Sequence, residues 1–243
     1  KKMGWHTLDS GVLYRVLGFM ASQNNLTATD PKLLELATNL DVQLNTKQPN
    51  INGLDLSSVI RTETIADLAS QIAAIPAIRA ALISKQRAFA RPPGLIADGR
   101  DMGSIVFPDA QVKIFLTASP EERTKRRYQQ LKQQGLDSNI NQIAATIQAR
   151  DMRDRSRSLA PLQAAAAAIT VDTTECDLPS VLGHIWHLVL TTFPDLQSQC
   201  NSVFQTSSLV NADTYTDGSP VDYAKSQGEL FIHHNPSADY QPT

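Results

Sequence analysis

Gly94-Leu95-Ile96-Ala97-Asp98-Gly99-Arg100-Asp101-Met102-Gly103-Ser104 is a short apolar run that ends in an Asp-Gly turn and an arginine–aspartate pair. Pro92-Pro93-Gly94 before it and Gly99 after it bound the run, so it reads as a buried strand. Arg100 and Asp101 then emerge at the strand's carboxyl end, the edge where open α/β sheets bind ligands. A second apolar strand, Val112-Lys113-Ile114-Phe115-Leu116, follows almost at once. The pair suits a site that holds an anion with Arg100 and a hydrogen-bond donor with Asp101. An Arg-Asp dipeptide in a loop is ordinarily a solvated pair of little energetic weight, and the rest of the chain has to decide between the two readings.

Upstream, Asp9-Ser10-Gly11 leads from a strand into an amphipathic helix, Val12 to Ser22, with Leu13, Val16, Leu17 and Met20 on one face and Ser10 as N-cap. Arg15 in its first turns opposes the helix dipole, and a bound anion would explain it. Residues 27–60 read as a small α+β insert: a helix from Lys32 to Asn39, then short strands at Asp41–Asn45 and Ile51–Leu56. Helical periodicity returns over 61–90 and breaks at Pro76, with Ser70 and Arg79 as polar interruptions.

Downstream, Ser119-Pro120-Glu121-Glu122 is a helix start, and Gly135 stops that helix. A second helix follows, capped by Ser138 and running to Arg150, and leads into Arg150-Asp151-Met152-Arg153-Asp154-Arg155-Ser156-Arg157. Arg150, Arg153 and Arg157 are spaced to share one helical face, where they repel unless acids or an anion lie between them. With Arg123, Arg126 and Arg127 they give residues 121–158 nine Lys/Arg against five Asp/Glu. Such a hairpin suits a lid that closes over polyphosphate, offsets the charge of the transition state and excludes water. A strand at Ala168–Asp172 and a helix from Leu178 to Leu190 complete the core.

Hydrophobic residues make up 42% of the 243, enough for one large domain or a core with an insert. The formal net charge of -2 predicts no nucleic-acid partner. Cys176 and Cys200 form neither a disulfide framework nor a metal spacing, no metal site is expected, and no apolar run reaches membrane-spanning length. The expectation is a cytoplasmic monomer without a membrane partner. Residues 196–243 turn polar without sustained periodicity and are expected to form a disordered tail.

Leu8-Asp9-Ser10-Gly11-Val12-Leu13-Tyr14-Arg15, Ala69-Ser70-Gln71-Ile72-Ala73, Gly94 to Gly103, Lys113-Ile114-Phe115-Leu116 and Arg150 to Arg157 together resemble the bacterial cytidylate kinases over roughly residues 1–190. The resemblance implies an α/β fold: a parallel sheet of the P-loop nucleoside monophosphate kinase type with helices on both faces, a small nucleotide-binding insert and a helical lid. It implies a core of 1–26, 61–120 and 159–195, an insert of 27–60 and a lid of 121–158. It implies phosphoryl transfer from ATP to CMP or dCMP, with Mg²⁺. By position, Ser70, Arg79 and Asp101 would face cytosine, and Arg15 and Arg100 would hold the CMP phosphate with Ser10 beside them. Arg150, Arg153 and Arg157 would act in catalysis as the lid closes, Asp154 would engage the substrate, and Arg126 and Arg127 would contact ATP.

One motif of the resemblance is missing. No Gly-x-x-x-x-Gly-Lys-[Ser/Thr] run, the backbone cradle for ATP phosphates, occurs in these 243 residues. The chain therefore reads as truncated ahead of residue 1, with its first strand missing and its turnover impaired. Another P-loop kinase of a small acceptor, or a non-catalytic nucleotide-binding protein on a kinase core, is the alternative.

Overall fold

The computed structural model describes residues 4–41, 50–51, 54–197 and 228–234. Strand β1 (His6–Asp9) passes directly into helix α1 (Ser10–Gln23), and α2 (Lys32–Thr38) and the β2–β3 hairpin (Asn50–Ile51, Leu54–Asp55) follow. Helices α3 (Glu63–Ile72) and α4 (Pro76–Arg87) lead to β4 (Gly94–Gly99), a π-helical turn (Met102–Val106) and β5 (Val112–Thr117). Helices α5 (Pro120–Gln133) and α6 (Ile140–Arg155), strand β6 (Ile169–Asp172), helix α7 (Leu178–Thr192) and strand β7 (Gly228–His234) complete the order.

The result is an α/β protein with an open five-stranded sheet, ordered β1-β4-β7-β5-β6. β1 runs parallel to β4, setting Leu8 opposite Ala97 and Asp9 opposite Asp98, and β5 runs parallel to β6. One face of the sheet packs Leu8, Leu95, Ala97 and Phe231 against Met102 and Phe107. The other packs Ile114, Leu230 and Ile232 against α7 through Val189, Ile185 and Trp186. A third cluster joins α1 to α4 through Leu13, Leu17, Leu33, Ile72 and Leu82. Each such side chain contributes about 1.5–3 kcal/mol by leaving water.

The local signals of the sequence hold with small shifts. Thr62, Ser119 and Asp177 each accept a backbone N–H at the start of α3, α5 and α7. Asp9, not Ser10, is the N-cap of α1, and Ser10 is its first residue. Asn139, not Ser138, caps α6, accepting from the N–H groups of Asn141 and Gln142, and α6 continues to Arg155. Gly135 follows α5 with φ at +71°, a conformation glycine adopts without a side-chain clash.

The main correction concerns residues 228–234, expected within a disordered tail. They form the central strand, antiparallel to both β4 and β5, which makes the sheet mixed rather than parallel. The reason is local. Leu230, Phe231 and Ile232 are an apolar triplet inside a polar region, and all three are buried. Phe231 stacks on Phe107 at 4.6 Å between ring centroids. β4 and β5 therefore do not pair with each other; β7 lies between them. Residues 42–45 of the strand expected at Asp41–Asn45, residues 198–227 and 235–243 of the tail, and Cys200 lie outside the described residues. Among the described residues no single helix is long and apolar enough to cross a membrane.

Candidate active site

The site forms where β1 and β4 end side by side. Their register puts Asp9 level with Asp98, so the β1–α1 turn and the Gly99-Arg100-Asp101 turn leave the sheet together. Gly99 permits the close approach: a Cβ there would collide with Ser10 Oγ and lie 2.9 Å from Met102 Cγ. After Asp101 the chain enters the π-helical turn, in which the N–H groups of Ile105 and Val106 both donate to the Asp101 carbonyl at 3.0 and 3.1 Å.

These turns, with α1, α3, α4 and α6, enclose a cleft of about 100 Å³. It is lined by Ser10, Arg15, Ser70, Arg79, Arg100, Asp101, Arg150 and Arg157, all singled out from sequence. Asp154, fully buried, lies among them. It pairs with Arg100 at 2.7 Å, with Arg157 in close contact, and with Arg150 at 3.8 Å. Arg79 forms a close ion pair with Asp101, donates to the Ala73 carbonyl at 3.1 Å, and lies over the Tyr14 ring at 5.9 Å. Arg15 donates to the Ile60 carbonyl at 2.8 Å. Ser70 Oγ and the Nε atoms of Arg150 and Arg157 are buried without a hydrogen-bond partner among the described residues.

Other residues of the expected set lie elsewhere. Arg153 pairs with Asp67 on α3 at 3.0 Å and does not line the cleft. Arg126 donates to Glu122 at 3.0 Å and to the Thr173 hydroxyl at 3.1 Å. Arg127 pairs with Glu63 and donates to Gln130 at 2.6 Å. Neither lines the cleft. Tyr14, Asp9 and Asp98 line the cleft and were not among the expected site residues. Tyr14 could have been found from its place one residue before Arg15 at the start of α1. Burial raises the Tyr14 hydroxyl pKa above its ordinary value, with Arg79 opposing.

The electrostatics favour an anion. Arg15, Arg79, Arg100, Arg150 and Arg157 converge on a cleft that Asp9, Asp98 and Asp101 also line, with Asp154 paired to three of the arginines, five guanidiniums against four carboxylates. Burial first, and then Arg100, hold the Arg150 guanidinium down to about 9, against the pull of Asp154. Burial also lowers Arg157, and lowers Arg15 against Asp9. A phosphate dianion would relieve that repulsion, and the planar guanidinium fork matches its oxygens. The Asp101 carboxylate in the same cleft is a hydrogen-bond acceptor, while Arg79 and Ser70 carry donors. A larger cleft of about 880 Å³ opens between α5 and α6, but its buried cation, Arg123, is paired with Asp151 at 2.6 Å.

A cleft at the carboxyl edge of parallel strands, lined by guanidiniums together with a carboxylate and a hydroxyl, is of the class that suits a small phosphorylated molecule. The family model described as cytidylate kinase matches residues 1–191. The cytidylate kinase of Pseudomonas putida (strain W619) is 50% identical over 192 residues, covering 76% of this chain and 84% of that protein. Those of Azotobacter vinelandii and Proteus mirabilis are 48% identical over 192 residues and 50% over 190, with 84% and 83% of their lengths covered. The chain belongs to the cytidylate kinase family.

Proposed function

We propose that this protein transfers the terminal phosphoryl group of ATP to CMP or dCMP, giving CDP or dCDP and ADP. The observation that carries the reading is the make-up of the cleft. Ser70, Arg79 and Asp101 bring hydrogen-bonding groups to it, and Arg15, Arg100, Arg150 and Arg157 bring positive charge. The cytosine amine donates to the Asp101 carboxylate, and the base carbonyl and ring nitrogen accept from Arg79 and Ser70. The acceptor phosphate lies between Arg15 and Arg100 with Ser10 beside it. Arg150 and Arg157 offset charge as the phosphoryl group moves, which in this reaction is most of what a protein contributes. Asp154 orients these arginines through its ion pairs.

The cleft of about 100 Å³ is smaller than the 300–1,000 Å³ or so of small-molecule sites. The nucleotide therefore enters as residues 121–158 swing away as a lid, from a core of 1–26, 61–120 and 159–195 and an insert of 27–60. ATP and Mg²⁺ supply the phosphoryl group and its charge neutralisation. The arginine cluster fits a polyphosphate in charge. The Mg²⁺ ion would be carried mainly on phosphate oxygens, as is usual for such sites. The 243 residues hold no Gly-x-x-x-x-Gly-Lys run to cradle the donor phosphates, so on their own they bind the acceptor better than they turn it over.

Asp101→Ala tests the base assignment. It should narrow the preference for CMP over UMP by about 1–3 kcal/mol, the scale of a good base contact. Calorimetric titration with both nucleotides measures it, and an unchanged ratio would remove Asp101 from base reading.

A further inference from the structure

We infer that Arg87 is a positioning residue for base recognition: from the last turn of α4 it fixes the π-helical turn that carries Asp101. The inference rests on the reading of Asp101 as base-facing, and it assigns a role to a residue outside the cleft.

Arg87 Nε donates to the Val106 carbonyl at 2.9 Å, and Nη2 donates to the Ile105 carbonyl at 3.3 Å. The Ile105 carbonyl and the Val106 N–H belong to one peptide unit. That N–H donates to the Asp101 carbonyl at 3.1 Å. The peptide is thus held at its oxygen by Arg87 and at its nitrogen by Asp101. A single rigid group links the guanidinium to the backbone of the aspartate, and bonds in such a chain polarise one another.

The same helix holds the other end of Asp101. Arg79, in the first turn and a half of α4, pairs with the carboxylate. Arg87, eight residues on, secures the carbonyl side. The turn needs such support. Its Asp101 N-cap position has φ -145° and ψ 24° with no side-chain cap, and Phe107 after it is also non-helical. A single π turn has little stability of its own. Ile105, in the middle of it, is exposed, so packing does not fix that part of the turn. Base discrimination depends on where the carboxylate sits to within a fraction of an ångström, because a displaced acceptor leaves an amine unpaired.

The test is calorimetric titration of the full chain with CMP, UMP and ribose 5-phosphate, for the native protein and for Arg87→Met, Arg87→Lys and Asp101→Asn. Arg91→Ala is the control, since Arg91 donates to the exposed Ala88 carbonyl at 2.8 Å and, among the described residues, makes no bond to the π-helical turn. Arg87→Met should cut the CMP-to-UMP affinity ratio about tenfold, the worth of a lost charge-assisted hydrogen bond. Ribose 5-phosphate affinity should change less than about twofold, because the arginines at the phosphate end are untouched. Arg87→Lys keeps a single donor and should fall between; if Arg87→Met does not fold, a lysine variant with an undiminished ratio overturns the inference. A uniform loss across all three ligands would mean a merely structural role and would also overturn it. If Asp101→Asn collapses the ratio and Arg87→Met does not, the inference fails alone. If Asp101→Asn leaves the ratio intact, the base-facing reading fails first.

Discussion

Asp154 shows how much of the site is set by one residue. It is a fully buried carboxylate against three guanidiniums, and it lets Arg100, Arg150 and Arg157 approach one another. Burial first, and then Arg100, hold Arg150 down to about 9, well below the ordinary guanidinium range, because Asp154 offsets them only in part. The folded value lies below the unfolded one, so from roughly pH 9 up to the ordinary guanidinium range the unfolded chain binds more protons. This group therefore makes stability rise with pH across that window, and adds no slope at neutral pH, where both states are protonated. A phosphate dianion pulls the value back up. CMP binding should consequently take up protons near pH 9 and should not do so through this group at pH 7. Calorimetry at both pH values, in two buffers of different ionisation heat, measures the uptake. Equal observed enthalpies in the two buffers at pH 9 would contradict the coupling.

Helices α5 and α6 join the rest of the molecule at α3 through two ion pairs, Arg127 with Glu63 and Arg153 with Asp67. Both carboxylates are about half exposed, at 52% and 50%, so salt weakens the pairs and each contributes about 0–1 kcal/mol. On the reading of residues 121–158 as a lid, these two pairs would bias it without locking it, and the buried Arg100–Asp154 pair is the stronger tie. Glu63→Gln combined with Asp67→Asn should speed amide hydrogen exchange in α6 and lower CMP affinity about two- to fivefold, with little change in melting temperature. Native protein in high salt should move in the same direction. Exchange in α6 unaltered by both the substitutions and salt would mean that α3 does not latch the lid. This scale also marks where the sequence was legible. Gly94–Gly99 was readable because a short apolar run stood between Pro92-Pro93 and a glycine turn. The helices were readable from their period and caps. The arginine spacing at 150, 153 and 157 put all three on one face, and the structure divides them. Three residues advance a helix by about 300°, enough to turn Arg153 toward Asp67, whereas Arg157 lies beyond the end of α6 and folds back onto Asp154. The pairing of Arg126 with Glu122 was open to reading from its i,i+4 spacing, but Glu63 as the partner of Arg127 was not, since it is 64 residues away in sequence. β7 was illegible for the same reason. Its triplet is short, and the strands that pair with it lie more than a hundred residues earlier.

At the scale of the molecule, β7 joins two half-sheets, β1–β4 and β5–β6, that do not hydrogen-bond to each other. β1 and β4 carry Asp9, Ser10, Arg100 and Asp101 at their ends, whereas α5 and α6, with Arg150 and Asp154, follow β5. Any relative movement of the half-sheets would separate the acceptor side of the cleft from the arginines that close on it. The residues proposed to hold the acceptor, Arg15, Ser70, Arg79, Arg100 and Asp101, all line one cleft. The donor side differs. Arg126 and Arg127 are engaged with Glu122, Thr173 and Glu63, and no glycine-rich run with lysine occurs in the 243 residues. Phosphoryl transfer is accelerated by holding donor and acceptor in line and by meeting the charge that develops between them, so binding one partner well gives little rate without the other. Residues 1–243, prepared by themselves, should therefore bind CMP but release ADP orders of magnitude more slowly than the same chain preceded by a strand and a Gly-x-x-x-x-Gly-Lys-Thr loop. A coupled assay of ADP release beside calorimetric CMP titration, on both proteins, separates the two properties. CMP binding with negligible ADP release is the expected outcome, and turnover equal to that of the loop-bearing protein would show that the existing arginines suffice to hold the donor.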